Sequence, residues 1–338
     1  MNRRERVIAA IEHREADRIP YHLRFTSTAR RAFVAHTRVE DAERQFGNHI
    51  ELARCMDFPV EIATGMFRDE FGVVWDRRDG SDIGLPAAHV FEEPSLETFA
   101  PPEPVASEID MQMKSLVHGE WDSFRAVTVG FSLYERAWSL RGIENLLMDM
   151  LLEEDFVAEL FDRIVAYDMK AMDCARKASD DFDAFFLGDD WGQQTGLIMS
   201  RELWKRLIGP RIAKLIEHGK SCGKYMILHS CGNIIELFPD LVDAGLDVYD
   251  TFQPEIYDIR LVKERFGDRL AFLGGISTQT LLPFSSPAAV RSTTREILQI
   301  MGKHGGYIAA PTHDLSSDIP VENILAMIEA FGHPVPGM

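Results

Sequence analysis

His229 and Cys231 stand two residues apart in the run KYMILHSCG, Lys224 to Gly232. On an extended segment the side chains at i and i+2 point the same way, so an imidazole nitrogen and a thiolate sulfur can here reach one metal ion. Zinc accepts that mixture of ligands, and an open coordination position on it can activate a nucleophile or a leaving oxygen. The competing reading is a cysteine packed as a small apolar residue. The position of the pair directly after an apolar strand-like run favours the metal. Cys222 is excluded as a co-ligand, because seven residues of mostly extended chain at about 3.3 Å each put it some 20 Å from His229. A further ligand has to come from another strand.

Other chemistry-bearing residues follow apolar runs in the same way. Asp189 and Asp190 close AFFLGDD, and adjacent carboxylates at a strand end can supply a general acid or base or anchor a substrate. The alternative is that one caps a turn and the other is solvated. His313 and Asp314 close GGYIAAPTHD, where a histidine beside a carboxylate can shuttle protons, bind metal or simply face water. Asp189, Asp190 and His313 are the catalytic candidates. Arg24, Tyr134, Glu135, Gln253 and Asp314 are the substrate-binding candidates, against the plainer readings that Arg24 pairs with an acidic neighbour and that Tyr134 and Glu135 only begin a helix. Polar residues so close to a core are costly without partners, which is why a shared pocket is expected.

The elements that position these residues alternate. Arg125 to Ser132, Ala184 to Asp190, Lys224 to Gly232, Asp247 to Gln253, Leu270 to Ser277 and Gly305 to Asp314 read as strands, and a helical pattern follows each. Val157, Leu160, Phe161, Ile164, Val165, Met169 and Met172 keep one face of a long helix. Later helices are expected over Ile234 to Ala244, Ile259 to Phe266, Pro287 to Met301 and Val321 to Phe331, and another near Ser200. Six strand-helix units, each strand a short apolar run of the kind a parallel sheet buries on both faces, point to an α/β fold. With one or two strands from earlier in the chain, the economical architecture is a (β/α)8 TIM barrel with chemistry at the carboxyl ends of the strands. A doubly wound open sheet is the rival, but no glycine-rich phosphate loop follows the first strand. Asn2 and Glu5 spell a capping box for an N-terminal helical extension. A strand-like IPYHLRF follows, then helical periodicity to about Val60, and a proline-rich insertion over Asp76 to Glu108. The expected organisation is one barrel domain over residues 1–338.

Lys plus Arg number 36 against 54 Asp plus Glu, a net charge of −18. Such a field repels polynucleotides and anionic lipid, which argues against nucleic-acid and membrane partners. Charge interrupts every apolar run well short of a membrane span, and Val7 to Ile11 is too short for a secretory core, so a cytoplasmic protein with reduced Cys55, Cys174, Cys222 and Cys231 is expected.

The segments RRERVIAAIEHREADRIP, GFSLYERAWSLRG, GDDWGQQTGLIMSRELWKRLIGPR, HSCGNI, FLGGISTQ and GGYIAAPTHDLSSDIPVENILAMIEAF together resemble the uroporphyrinogen decarboxylase superfamily, over nearly the whole chain. The likeness is nearer to its corrinoid-linked methyltransferase branch, which includes methoxyaromatic O-demethylases, than to the decarboxylase of the haem pathway. The resemblance implies a (β/α)8 barrel, zinc held through H-x-C at His229 and Cys231 plus a further cysteine near the last strand, a small methylated substrate and a corrinoid carrier protein as partner. Thr312 stands where that further cysteine is expected, leaving His313 and Glu135 as candidates to complete the site. The decarboxylase pattern of two arginines four apart is met by Arg24 but broken by Thr28. Methyl transfer is therefore the expected activity. The alternatives are decarboxylation of a porphyrinogen or another acidic substrate, and a non-catalytic ligand- or carrier-binding barrel. A homodimer is among the expected assemblies.

Overall fold

Helix α1 (Arg3–Ile11) begins where its residues dictate: the Asn2 side chain accepts the Glu5 amide, and the Glu5 carboxylate accepts the Asn2 amide in return. The computed structural model describes residues 1–118 and 122–333. The chain forms two compact units, one of Met1–Glu51, Glu120–Phe124 and Asp247–Met338, the other of Leu52–Gly119 and Arg125–Leu246.

In the second unit, strand β1 (Ile50–Arg54), whose first two residues belong to the first unit, is followed in the sheet by β2 (Phe124–Val129), β3 (Ala184–Gly188) and β4 (Tyr225–His229). Strands β2 and β4 each pair parallel with β3, which places Ala184 beside both Ala126 and Tyr225 and puts Gly188 beside His229. Between them run α2 (Leu133–Arg141), α3 (Glu154–Ala178) and α4 (Gly209–Ser221). The apolar stripe expected on α3 is buried at Val157, Leu160, Phe161, Ile164, Val165 and Met172, while Met169 is half-buried. Cys222 caps the end of α4, before β4 begins, and so lies at the opposite end of that strand from His229.

The first unit repeats the scheme with β5 (Val248–Phe252), β6 (Ala271–Ile276) and β7 (Tyr307–Pro311), parallel and in that order. IPYHLRF lies along β7 through parallel bridges from Tyr21 to Ala309 and from Phe25 to Leu315. Helices α5 (Ile259–Phe266), α6 (Pro287–Met301) and α7 (Val321–Ala330) match the periodicity. Every residue of β5, β6 and β7 is buried, as strands covered on both faces must be.

Two expectations need correction. Residues before Val60 are not helical throughout, since Ile50–Arg54 is a strand and its Cys55 amide bonds the Thr128 carbonyl. The stretch from Asp76 to Glu108 is not uniformly irregular either. Leu85–Ala88 pairs antiparallel with Val74–Asp76, completing a four-stranded meander with Val60–Ala63 and Met66–Arg68. Strands of three and four residues are too short for alternation to reveal. Among the described residues no helix is long and apolar enough to cross a membrane.

His49 is fully buried with its ring 4.6 Å from that of Tyr21, and neither ring nitrogen has a hydrogen-bond partner among the described residues. Burial, aided by the charges of Arg18, Arg6 and Arg3, lowers its pKa to about 3. The unfolded chain takes up this proton near pH 6.5 and the folded chain only near pH 3, so stability is full above about 6.5 and is lost as pH falls through that window. Urea titrations between pH 7 and 4 should show a smaller acid loss in His49→Phe than in the wild type, with the variant equally stable or more stable at pH 7.

Candidate active site

The β3 ladder continues one residue beyond its end, because the Asp189 amide bonds the His229 carbonyl at 3.0 Å. This turns the Asp189 side chain inward, where it is fully buried. Its carboxylate accepts the Glu135 amide at 2.7 Å and the Trp191 indole N–H at 2.7 Å, and the Tyr134 amide as well. Helix α2 has no side-chain cap of its own, and the carboxylate of Asp189 takes over that task. Burial raises the Asp189 pKa to about 7 against the pull of these three donors. Asp189 thus holds α2 and Trp191 in place, and Asp190 is the member of the pair that remains open to chemistry.

Asp190 keeps about a third of its side chain exposed, 34 %. Its Oδ1 accepts the Cys231 amide at 2.7 Å and lies 3.7 Å from His229 Nε2. Cys231 Sγ is 3.4 Å from the same Nε2, so the two side chains face one another as the spacing predicted. Glu135 is half-buried, with its carboxyl above the Gly188 backbone: a Cβ on Gly188 would stand 4.0 Å from Glu135 Oε2. Burial, then the charges of Asp190 and Asp189, push the Glu135 carboxyl well above the usual range, with His229 opposing. His229, Cys231, Glu135, Asp189 and Asp190 therefore form one group at the carboxyl ends of β3 and β4.

What keeps His229 and Cys231 beside Asp190 is a contact of backbone on backbone. Gly232, at φ +80°, would place a Cβ 2.2 Å from the Gly192 carbonyl carbon, and a Cβ on Gly192 would lie 2.7 Å from the Gly232 carbonyl carbon. The Asn233 amide bonds the Gln193 carbonyl at 2.7 Å, and the Trp191 amide donates to Ser230 Oγ at 3.1 Å. Only glycine fits either position.

Tyr134 is buried and its hydroxyl has no hydrogen-bond partner among the described residues. Behind it in sequence lies a network that pattern reading missed. Arg136, fully buried, donates to Asp69 Oδ2 at 2.6 Å and to Asp57, and Asp69 also accepts the Trp75 indole at 2.9 Å. Burial pushes Asp57 up to about 7 against the attraction of Arg136. Asp168, on α3, is fully buried with both oxygens unpartnered among the described residues, and burial holds its carboxyl well above its ordinary range. Asp168 interrupts the apolar stripe of α3, the one signal that marked it. Asp57 and Asp69 lie in short segments with no periodicity to flag them.

The first unit carries the remaining candidates. Arg24 Nε lies 2.7 Å from Asp314 Oδ1 and its Nη2 3.7 Å from buried Asp250, so the plainer reading of an acid-paired arginine describes its contacts. Gln253 is buried just past β5, and His313 is exposed. Thr312 is buried; its hydroxyl accepts the Thr278 amide at 3.1 Å and meets Thr278 Oγ1 at 3.0 Å, while its carbonyl accepts from Thr251. Asp189→Ala should lower the unfolding free energy by about 2 to 4 kcal/mol, because two amides and an indole lose their acceptor together, whereas Asp190→Ala should cost under about 1 kcal/mol. Urea unfolding of the two variants checks the contrast.

The model of the family described as uroporphyrinogen decarboxylase (URO-D) matches residues 127–333. A methylated-thiol–coenzyme M methyltransferase of Methanosarcina mazei is 27% identical over 209 residues, 59% of this chain and 51% of that protein. A uroporphyrinogen decarboxylase of Coxiella burnetii is 32% identical over 148 residues, 44% of this chain and 40% of that one. This chain thus spans about half the length, or less, of these curated relatives. A solved methyltransferase structure from Methanosarcina mazei superposes with a TM-score of 0.75 at 16% identity, covering 98% of both chains, and shows the same fold.

Proposed function

We propose that this chain, which belongs to the uroporphyrinogen decarboxylase family, moves a methyl group between a small methylated substrate and a corrinoid held by a partner protein, with zinc bound at His229 and Cys231. The observation that carries the reading is the 3.4 Å separation of His229 Nε2 and Cys231 Sγ. Tetrahedral zinc with bonds of about 2.1 Å to nitrogen and 2.3 Å to sulfur sets its ligands about 3.6 Å apart, so the pair fits the ion with a shift of tenths of an ångström. The methyltransferase among the relatives supports the same branch. The parallel segments number four in each unit when Tyr21 to Phe25 is included, the count that a (β/α)8 frame requires.

When bound, zinc supplies Lewis acidity toward a methyl-bearing heteroatom. The chain's own residues do the rest. Asp190 orients Cys231 through its amide and sets its part-exposed carboxylate 3.7 Å from His229 Nε2, beside the atoms that would hold the ion and within reach of a substrate bound there. Asp189 and the paired glycines keep that arrangement fixed. Decarboxylation of a polyanion is less well served, because Arg24 already meets Asp314 and Asp250, and Thr28 replaces a second arginine.

Metal analysis after dialysis should find about one zinc per chain in the wild type and little in Cys231→Ala or His229→Ala. Unchanged metal in both variants, or none in the wild type, would remove the premise. Loss of metal in Glu135→Gln or in His313→Ala identifies the further ligand. Transfer from a methylated thiol or methoxyarene to cob(I)alamin, followed by its absorbance, should fall at least a hundredfold in Cys231→Ala.

A further inference from the structure

The meander that follows β1 and the helix Ala106–Val117 border a cleft of about 550 Å³, lined by Arg54, Arg68, Arg77, Glu70, Glu108 and Gln112 among others. Arg54 Nη1 donates to the Asp57 carbonyl at 3.2 Å and Arg77 Nε to the Ile83 carbonyl at 2.8 Å, both neutral acceptors. Among the described residues none of the three arginines makes a salt bridge. Arg77 is half-buried, its guanidinium 4.6 Å from the Phe67 ring centre; burial and the charge of Arg54 work against its protonation, and the charges of Asp82 and Asp57 only partly offset them.

The nearby carboxylates are engaged elsewhere. Asp69 is taken by Arg136 and Trp75, and Glu70 accepts the amides of Asp57 and Phe58 and the Tyr167 hydroxyl. Of the lining carboxylates only that of Glu108 has no hydrogen-bond or ion-pair partner among the described residues. A half-buried cation that faces a like charge and touches no carboxylate is costly, and a bound anion lowers that cost. The planar fork of arginine matches carboxylate and phosphate oxygens, and the volume suits a small molecule. The lining residues precede the segment 127–333 that the family model matches.

We propose that the cleft binds a small organic anion, whose carboxylate or phosphate oxygens are held by Arg54, Arg68 and Arg77. The site is independent of methyl transfer and of zinc, and it stands or falls by binding alone. Calorimetric titration of the full chain at about 0.1 M salt with tricarballylate, inorganic phosphate and neutral glycerol tests it. At least one anion should bind near 1:1 with a dissociation constant below about 1 mM, and glycerol should not. The better of the two anions identifies the ligand as carboxylate or phosphate. Arg68→Gln and Arg77→Gln should each weaken it tenfold or more. Arg78→Gln, outside the lining and paired with Asp76, should leave it unchanged. Arg68 is exposed, so its variant carries the test even if Arg77→Gln does not fold. Anion binding only above about 10 mM, or equal in all variants, overturns the proposal.

Discussion

A buried carboxylate at the end of one strand carries the beginning of a helix from elsewhere in the chain. Helix α2 leaves its first amides without an acceptor of its own, and Asp189 supplies one from β3. That bond fixes where Glu135 stands, and one residue later where Arg136 enters the interior to meet Asp57 and Asp69. The same carboxylate holds the Trp191 indole, and with it the loop that presses against Gly232. The fold buries a charge to obtain this order, and the cost appears in the raised pKa of Asp189.

Thr312 shows how a position can change its work without leaving a gap. Where the resemblance expects a sulfur, the residue is a buried hydroxyl satisfied by the Thr278 turn, with its carbonyl held by Thr251. A threonine so fully hydrogen-bonded is part of the scaffold of the first unit. The Thr312 hydroxyl is already engaged and does not offer itself as a ligand.

The parallel strands and the helices that follow them were legible because both signals are long: continuous apolar runs for the strands, and a period of 3.6 over eight or more residues for α3, α5 and α6. The helix expected over Ile234 to Ala244 was coarser, being a 3-10 turn at Ile235–Leu237 and a short helix Phe238–Asp243. The meander was invisible because its strands are too short to alternate and one, Val60–Ala63, is exposed throughout. At the site, the facing of His229 and Cys231 followed from a period of two, which needs only local geometry. The division of labour between Asp189 and Asp190 did not, since it depends on which carboxylate the ladder turns inward. Arg136, Asp57 and Asp69 were likewise hidden, for a buried ion network is set by tertiary packing and leaves no spacing to read.

The Gly192 and Gly232 contact also bears on motion. Two loops whose main chains touch at Gly192 and Gly232, and which share the bonds from Asn233 to Gln193, from Trp191 to Ser230 Oγ and from Cys231 to Asp190 Oδ1, are not parted by the rotation of any one side chain. They must shift as one body or not at all. In the proposed reaction, access to His229 and Cys231 would then not come from one of these loops swinging away from the other, and gating would fall to segments tied at fewer points.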